Sequence, residues 1–345
     1  MDLREALATV IGGRTLSRDD AQAVMTTIMA GEATPALLGA LLAALRLRGE
    51  TVDEIAGFAA GMRKAAVKVD LDGDAIDIVG TGGSRADPFN ISTVSSVVAA
   101  AAGARVAKHG NRAASGKCGS ADVLEAIGVK IDLGPDEIAA CVREVGIAFM
   151  FAPRFHPAMR HAGPVRREIG IRTVFNLLGP LANPAGVRRM VVGVPSPEFG
   201  EKLARVLGEL GAEYGLVVHG ADGLDDISPS GPTQTWEVRS GDVRSGTIDP
   251  QELGMERASI DEIASGDAAA NAATAHAILG GEQGARRSTV LLNAGAALMV
   301  AGKAESIREG IAAAARAIDS GAARDRLRGW VVASQKLGAV EAATT

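Results

Sequence analysis

Over the first 68 residues the apolar positions recur at helical intervals: Leu3, Leu7 and Val10, then Val24 and Ile28, then Leu37, Leu38, Leu41, Leu42 and Leu45. Polar residues stand where the helices should begin. Ser17 precedes Arg18-Asp19-Asp20, and Thr34 precedes Pro35, a residue suited to the first helical position. Thr51 followed by Glu54 is a capping-box signature for a further helix through Arg63. Helices this short cannot bury their apolar faces alone, so they must pack on the rest of the chain or on a second subunit.

From Asp70 the pattern changes to short β-rich runs alternating with helical ones. Candidate strands are Ala75 to Val79, Arg105 to Lys108, Val129 to Asp132, Ile147 to Phe151, Met190 to Val194, Gly215 to His219 and Thr235 to Val238. Helical patterns lie at Asn90 to Ala102, Pro135 to Glu144, Pro197 to Leu210 and Ala268 to Leu279. This alternation predicts an α/β fold with a mainly parallel central sheet flanked by helices, preceded by a small helical N-terminal domain. The domains are read as 1–70, helical, and 71–345, α/β. Ligands of open α/β sheets collect at the carboxyl ends of the strands. The chain shows neither a repeat of 20 to 50 residues nor a low-complexity linker.

At 345 residues the chain is long enough to bury a sizeable core. Aromatics are only 3%, which disfavours base stacking as the main activity, and a formal charge of −5 gives no global field for nucleic acid. Phosphate binding must then come from local groups. The two cysteines, Cys118 and Cys141, lack a CxxC neighbour, which suits a reducing compartment. With no secretory pattern at the start and no apolar run of about 18 residues, the expectation is a soluble cytoplasmic protein that does not engage a membrane.

The candidate chemistry lies directly after strands. Gly80-Thr81-Gly82-Gly83-Ser84 follows the first and matches neither the dinucleotide fingerprint nor the Walker pattern. Alone it is as consistent with a tight turn as with a phosphate cradle. Asn90-Ile91-Ser92-Thr93 shifts the balance, because it places an N-cap amide and two hydroxyls at one helix mouth. Lys108-His109-Gly110-Asn111-Arg112, after the second strand, packs two fixed positive charges, a titratable ring and an amide into five residues, which favours an anion or substrate site. After His219 the run Asp222-Gly223-Leu224-Asp225-Asp226 offers three carboxylates without EF-hand spacing, suited to Mg²⁺ carried in with phosphate oxygens. Arg166 or Arg167 would clamp a substrate carboxylate, and the five-residue spacing of His156 and His161 disfavours a zinc pair.

In order and spacing, GTGGS, FNIST, VAKHGNRA, GSADVLEAIG, HPAMRHAGPVRREIGIRTVFNLLGPLANP, DGLDDIS and VLLNAGAALMVAG closely resemble the anthranilate phosphoribosyltransferases, from the helical start to Ser320-Gly321-Ala322. The resemblance implies a site between the two domains, a return of the chain to the helical domain near 173–183, and a homodimer made through the helical part. It implies transfer of phosphoribosyl from phosphoribosyl pyrophosphate (PRPP) to the amine of anthranilate in tryptophan biosynthesis, with release of pyrophosphate and two Mg²⁺ ions. It further implies a PRPP cradle of Gly80, Thr81, Gly82, Gly83, Ser84, Asn90, Ser92, Thr93, Lys108 and Ser120. Anthranilate falls to Gly80, His109, Asn111, Arg166, Gly179 and Pro180, and metal to Ser92, Asp225 and Asp226, with no residue as general base. Ser84, Pro88 and Asp226 depart from the family pattern, which more often has an acidic residue, threonine and Glu there. The alternatives are a nucleoside phosphorylase-like enzyme, which should lack the DGLDD pair and the arginine clamp, and a non-catalytic nucleic-acid-binding relative, which would want a basic face.

Overall fold

The computed structural model describes residues 1–82, 87–113, 117–264 and 266–344. Four helices open the chain: α1 (Leu3–Ile11), α2 (Arg18–Met29), α3 (Pro35–Arg48) and α4 (Val52–Ala65). Their starts follow the capping logic of the sequence. Ser17 Oγ accepts from Asp20 N at 3.1 Å, Thr34 Oγ1 accepts from Leu37 N at 3.4 Å, and Thr51 and Glu54 form the reciprocal box. Glu54 is fully buried, accepts from Leu16 N at 2.8 Å and pairs with Arg48, tying α3, α4 and the turn after α1 together. Helices α2 and α4 approach closely because α4 presents glycines. A Cβ on Gly57 would stand 2.3 Å from Arg18 O, and one on Gly61 2.7 Å from Met25 Cβ.

The α/β part begins with β1 (Ile76–Gly80), α5 (Ile91–Ala101), β2 (Val106–Gly110), α6 (Ser120–Ile127), α7 (Pro135–Val145) and β3 (Ile147–Phe151). Then α8 (Ala152–Phe155), α9 (Met159–Ile169) and α10 (Phe175–Leu181) carry the chain back: α9 lies against α2 and α3, and α10 against α4. The sheet resumes with β4 (Arg189–Gly193), α11 (Gly200–Glu209), β5 (Tyr214–Gly220), β6 (Thr233–Arg239) and β7 (Asp242–Ile248). Helices α12 (Ala268–Leu279), α13 (Ala285–Val300), α14 (Ile307–Asp319) and α15 (Ala322–Thr344) close the fold, with α13 and α15 against α5.

Among the described residues the strands form one seven-stranded sheet in the order β3-β2-β1-β4-β5-β6-β7, parallel from β3 to β5 and antiparallel at the β6–β7 edge. The expected mainly parallel sheet is therefore what forms. Chain progression reverses between β1 and β4, and a crevice opens outside the carboxyl ends of strands at such a switch point. Two sequence expectations differ. Val129 to Asp132 pairs with no strand among the described residues; it is an irregular connection whose alternation reflects burial of Val129, Ile131 and Leu133. Strand β7 was not anticipated, because an edge hairpin strand reading DVRSGTI is mostly exposed and polar.

Candidate active site

Strand β1 ends at Gly80, in register with Gly193 at the end of β4. Thr81 N donates to Gly193 O at 2.9 Å, and Thr81 Oγ1 donates to the same carbonyl at 3.2 Å. The loop after β5 then crosses these two strand ends. Gly82, at φ 69°, donates its N–H to Asp225 Oδ2 at 2.9 Å. A Cβ on Gly80 would stand 2.3 Å from that oxygen, and one on Gly193 only 1.5 Å from Asp225 O. Glycine at both strand ends is what lets the acidic loop close over the switch point. Gly83 and Ser84, the rest of the glycine turn in the expected cradle, lie outside the described residues.

Lys108 is 1% exposed and aims its ammonium back at β1 and α5, donating to Ile78 O and, at 3.2 Å, to Ser92 Oγ. Burial lowers its pKa, while Asp77 and Asp226 pull the other way. Asp77, also buried, accepts from Asn183 Nδ2 at 2.8 Å and His109 N at 3.3 Å. Burial raises that carboxyl to about 6 against the attraction of Lys108. Asn90 occupies the N-cap position of α5, but the expected side-chain cap is absent. Its Nδ2 instead donates to Cys118 O at 3.1 Å, and its N–H to Asn271 Oδ1 at 3.0 Å. The α5 mouth is thus fixed by α12 and keeps a first turn that no side chain caps, the arrangement that receives an anion. Asn90 Oδ1 and Thr93 Oγ1 are buried there without partners.

Asp225 and Asp226 are half-buried neighbours whose carboxyls both resist ionisation. For Asp226, raised well above the usual range, burial is the larger cause and repulsion from Asp225 the next, with Lys108 opposing. Asp222, by contrast, accepts from Leu224 N, Ser228 Oγ and Ser230 Oγ, so it shapes the loop, and the expected three carboxylates reduce to two. Among the described residues no group of three or more His, Cys, Asp or Glu forms a metal cage. Two carboxylates that repel each other fit a cation that draws the rest of its shell from water and phosphate, which is the habit of Mg²⁺. Arg172, before α10, attracts Asp225 across the crevice, and its Nη2 is buried without a partner.

The second half of the site comes from β2 and the returning helices. His109 Nδ1 lies 3.2 Å from Gly179 O, and its ring is 5.0 Å from that of His156. Burial, foremost, depresses both imidazoles, His109 to about 3 and His156 to about 4, and each leaves Nε2 unpartnered. Both rings are therefore neutral at pH 7. Gly179 and Pro180 sit within the last turn of α10. Arg166 is half-buried, its guanidinium 5.2 Å from the centre of the Phe175 ring, whereas Arg167 is exposed. Asn111 is exposed at the end of β2, its Oδ1 accepting from Arg112 N at 2.8 Å. Ser120 opens α6 so close to β2 that a Cβ on Gly110 would stand 3.3 Å from it. Arg112 does not face this space: it pairs with Asp122 and Glu125 of α6, which leaves buried Lys108 as the one fixed charge of the Lys108-to-Arg112 run beside the α5 mouth. His161 is exposed, away from buried His156.

Sequence reasoning missed Asp77, Arg172, Asn183, Gly193 and Asn271, and weighed His156 only as half of a zinc pair. The asparagine of LANP, inside a run already singled out, was the one signal available for Asn183.

Comparison with known proteins agrees with this architecture. A model described as "Glycosyl transferase family, a/b domain" matches residues 72–324, and its "helical bundle domain" counterpart matches 4–66. An anthranilate phosphoribosyltransferase of Thermomicrobium roseum is 54% identical, over 97% of this chain and 98% of its own. The crystal structure of the enzyme so named from Thermus thermophilus superposes with a TM-score of 0.90 at 44% identity, covering 96% of this chain and 99% of that one. The Saccharomyces cerevisiae enzyme in complex with PRPP and Mg gives a TM-score of 0.90 at 26% identity, covering 97% and 98%.

Proposed function

The chain belongs to the anthranilate phosphoribosyltransferase family of glycosyl transferases, and from that premise we propose how its residues share the work. It transfers phosphoribosyl from PRPP to the amine of anthranilate, releases pyrophosphate, and serves tryptophan biosynthesis with Mg²⁺. The observation that carries the residue assignment is the 2.9 Å hydrogen bond from Gly82 N to Asp225, which joins the glycine turn to the acidic loop at the switch point.

In this reading Gly80, Thr81, Gly82, Gly83, Ser84, Asn90, Ser92, Thr93, Lys108 and Ser120 hold PRPP. Backbone N–H groups and the uncapped start of α5 receive phosphate oxygens. Asp225, Asp226 and Ser92 would hold two Mg²⁺ ions, which supply charge neutralisation on the departing pyrophosphate. The buried ammonium of Lys108 stands between Ser92 and Asp226 and keeps this anionic cluster compact. Gly80, His109, Asn111, Arg166, Gly179 and Pro180 form the anthranilate side, with Arg166 facing the carboxylate.

The displacement is dissociative: the bond from C1 of the ribose to pyrophosphate breaks, an oxocarbenium-like ribose forms, and the anthranilate nitrogen attacks C1 from the opposite face, its surplus proton passing to the released pyrophosphate or to water. An aromatic amine is unprotonated near pH 7, so no strong base is needed. His109, with a pKa near 3, is a poor base and serves by position instead. Positioning supplies roughly 7–11 kcal/mol and fixed charges roughly 3–4 more, enough without a covalent intermediate.

Exposed Ile11 and Leu47, at 70% and 89%, support a homodimer through the helical domain. No described helix is long and apolar enough to cross a membrane, and the acidic composition speaks against nucleic acid; both agree with cytoplasmic work on small molecules. The test is the loss of anthranilate fluorescence on mixing with PRPP, with and without chelator. A Mg²⁺-dependent loss is expected; phosphorolysis of nucleosides in its place would favour the phosphorylase-like alternative.

A further inference from the structure

At the amino ends of β4 and β5, the opposite end of the strands from this site, a cavity of about 360 Å³ opens between the helical bundle and the sheet, lined by Arg63, Gly186, Arg188, Leu207, Leu210 and Ala212 among others. It adjoins the two places where the chain passes between those parts. Val69 N donates to Pro184 O at 3.2 Å, so the segments after α4 and after α10 run side by side here. Among the described residues no carboxylate lines the cavity, although the protein as a whole is acidic.

Arg63, at the end of α4, reaches across the seam. Its Nε donates to Leu181 O, the last residue of α10, at 2.5 Å, and its Nη1 to Leu210 O, beyond α11, at 3.4 Å. These carbonyls bring the partial negative ends of two helices, but among the described residues Arg63 forms no ion pair and its Nη2 has no hydrogen-bond partner. Burial lowers the pKa of the guanidinium, as expected of a cation short of a counter-charge. Arg188 is better served: it donates to Gly211 O at 3.2 Å and lies 3.3 Å from Glu213. The space suits a small ligand, and its chemistry is one unpaired guanidinium, a second cation at the rim and aliphatic side chains between.

We propose that this cleft is a second binding site, for a small organic anion with a compact apolar body, held by Arg63 where the two parts of the molecule join. Such a ligand completes the fork of Arg63 with a carboxylate or phosphate oxygen. Through Leu181 it also bears on the helix that presents Gly179 to His109.

The test uses 4-iodobenzoate as the probe on the full chain carrying Arg166→Ala, which removes the carboxylate partner of the anthranilate side, with the phosphate side of the catalytic site first filled by Mg²⁺ and pyrophosphate. Calorimetric titration should show one remaining site per chain, weakened at least tenfold in Arg63→Met. Crystals soaked in the same probe should show iodine anomalous density in the cleft, which decides the matter if Arg63→Met does not fold. Absence of binding to the filled enzyme, equal affinity in Arg63→Met, or iodine only elsewhere overturns the proposal. Turnover of anthranilate is measured separately, so failure here leaves the catalytic reading standing.

Discussion

Burial resists ionisation of both Asp225 and Asp226, repulsion from Asp225 adds to it at Asp226, and Lys108 offsets only part of the cost there. Asp225→Asn should keep the fold and lower kcat by about 10²–10³-fold, the usual cost of one removed charge stabiliser. Steady-state kinetics across a Mg²⁺ series checks it, and unchanged turnover would remove the metal role. Gly193 tests the geometry instead of the charge. Its added Cβ would overlap Asp225 O, so Gly193→Ala must displace the acidic loop, and a shift near 1 Å can cost about 10²-fold in kcat/KM. His156 gives a pH signature. Its folded pKa, near 4, is below the unfolded 6.5, so the stability it contributes is present above about pH 6.5 and lost as pH falls toward 4. Asp77, raised to about 6, has the opposite sign: its contribution is present below 3.8 and lost as pH rises through 6. Urea unfolding at pH 7 and pH 5 should therefore show a loss that His156→Phe reduces by about 1–2 kcal/mol.

Among elements, what the sequence made legible were those that carry their own punctuation. Ser17, Thr34 with Pro35, and Thr51 with Glu54 mark helix starts through local hydrogen bonds, so three of the four opening helices could be read directly. The glycine turn, the Lys108 run and the DGLDD loop could be placed at strand ends because apolar runs stop where they begin. Val129 to Asp132 deceived because a buried coil alternates like a strand, and β7 hid because an edge strand need not be apolar. Gly193 and Asp77 were illegible for a different reason. Their importance comes from neighbours more than 100 residues away or in another strand, and one sequence does not list those. The α2–α4 contact has the same origin. Gly57→Ala should push the helices apart and destabilise the fold by about 1–3 kcal/mol in urea titrations.

For the whole molecule, the sheet order places the reversal of chain progression at β1 and β4, and the three chemical loops meet there from separate crossovers. Arg172 and the α9–α10 return bring the helical side to the same crevice, so a substrate held there as proposed would meet both parts of the chain. The central claim is that glycine turn and acidic loop together grip a metal-bound sugar diphosphate. Calorimetric titration of PRPP into the wild type and the Asp225→Asn/Asp226→Asn variant, with Mg²⁺ and with chelator, tests it most directly. The account predicts Mg²⁺-dependent binding to the wild type that weakens at least tenfold in the variant or without metal; equal affinity in all four titrations would contradict it.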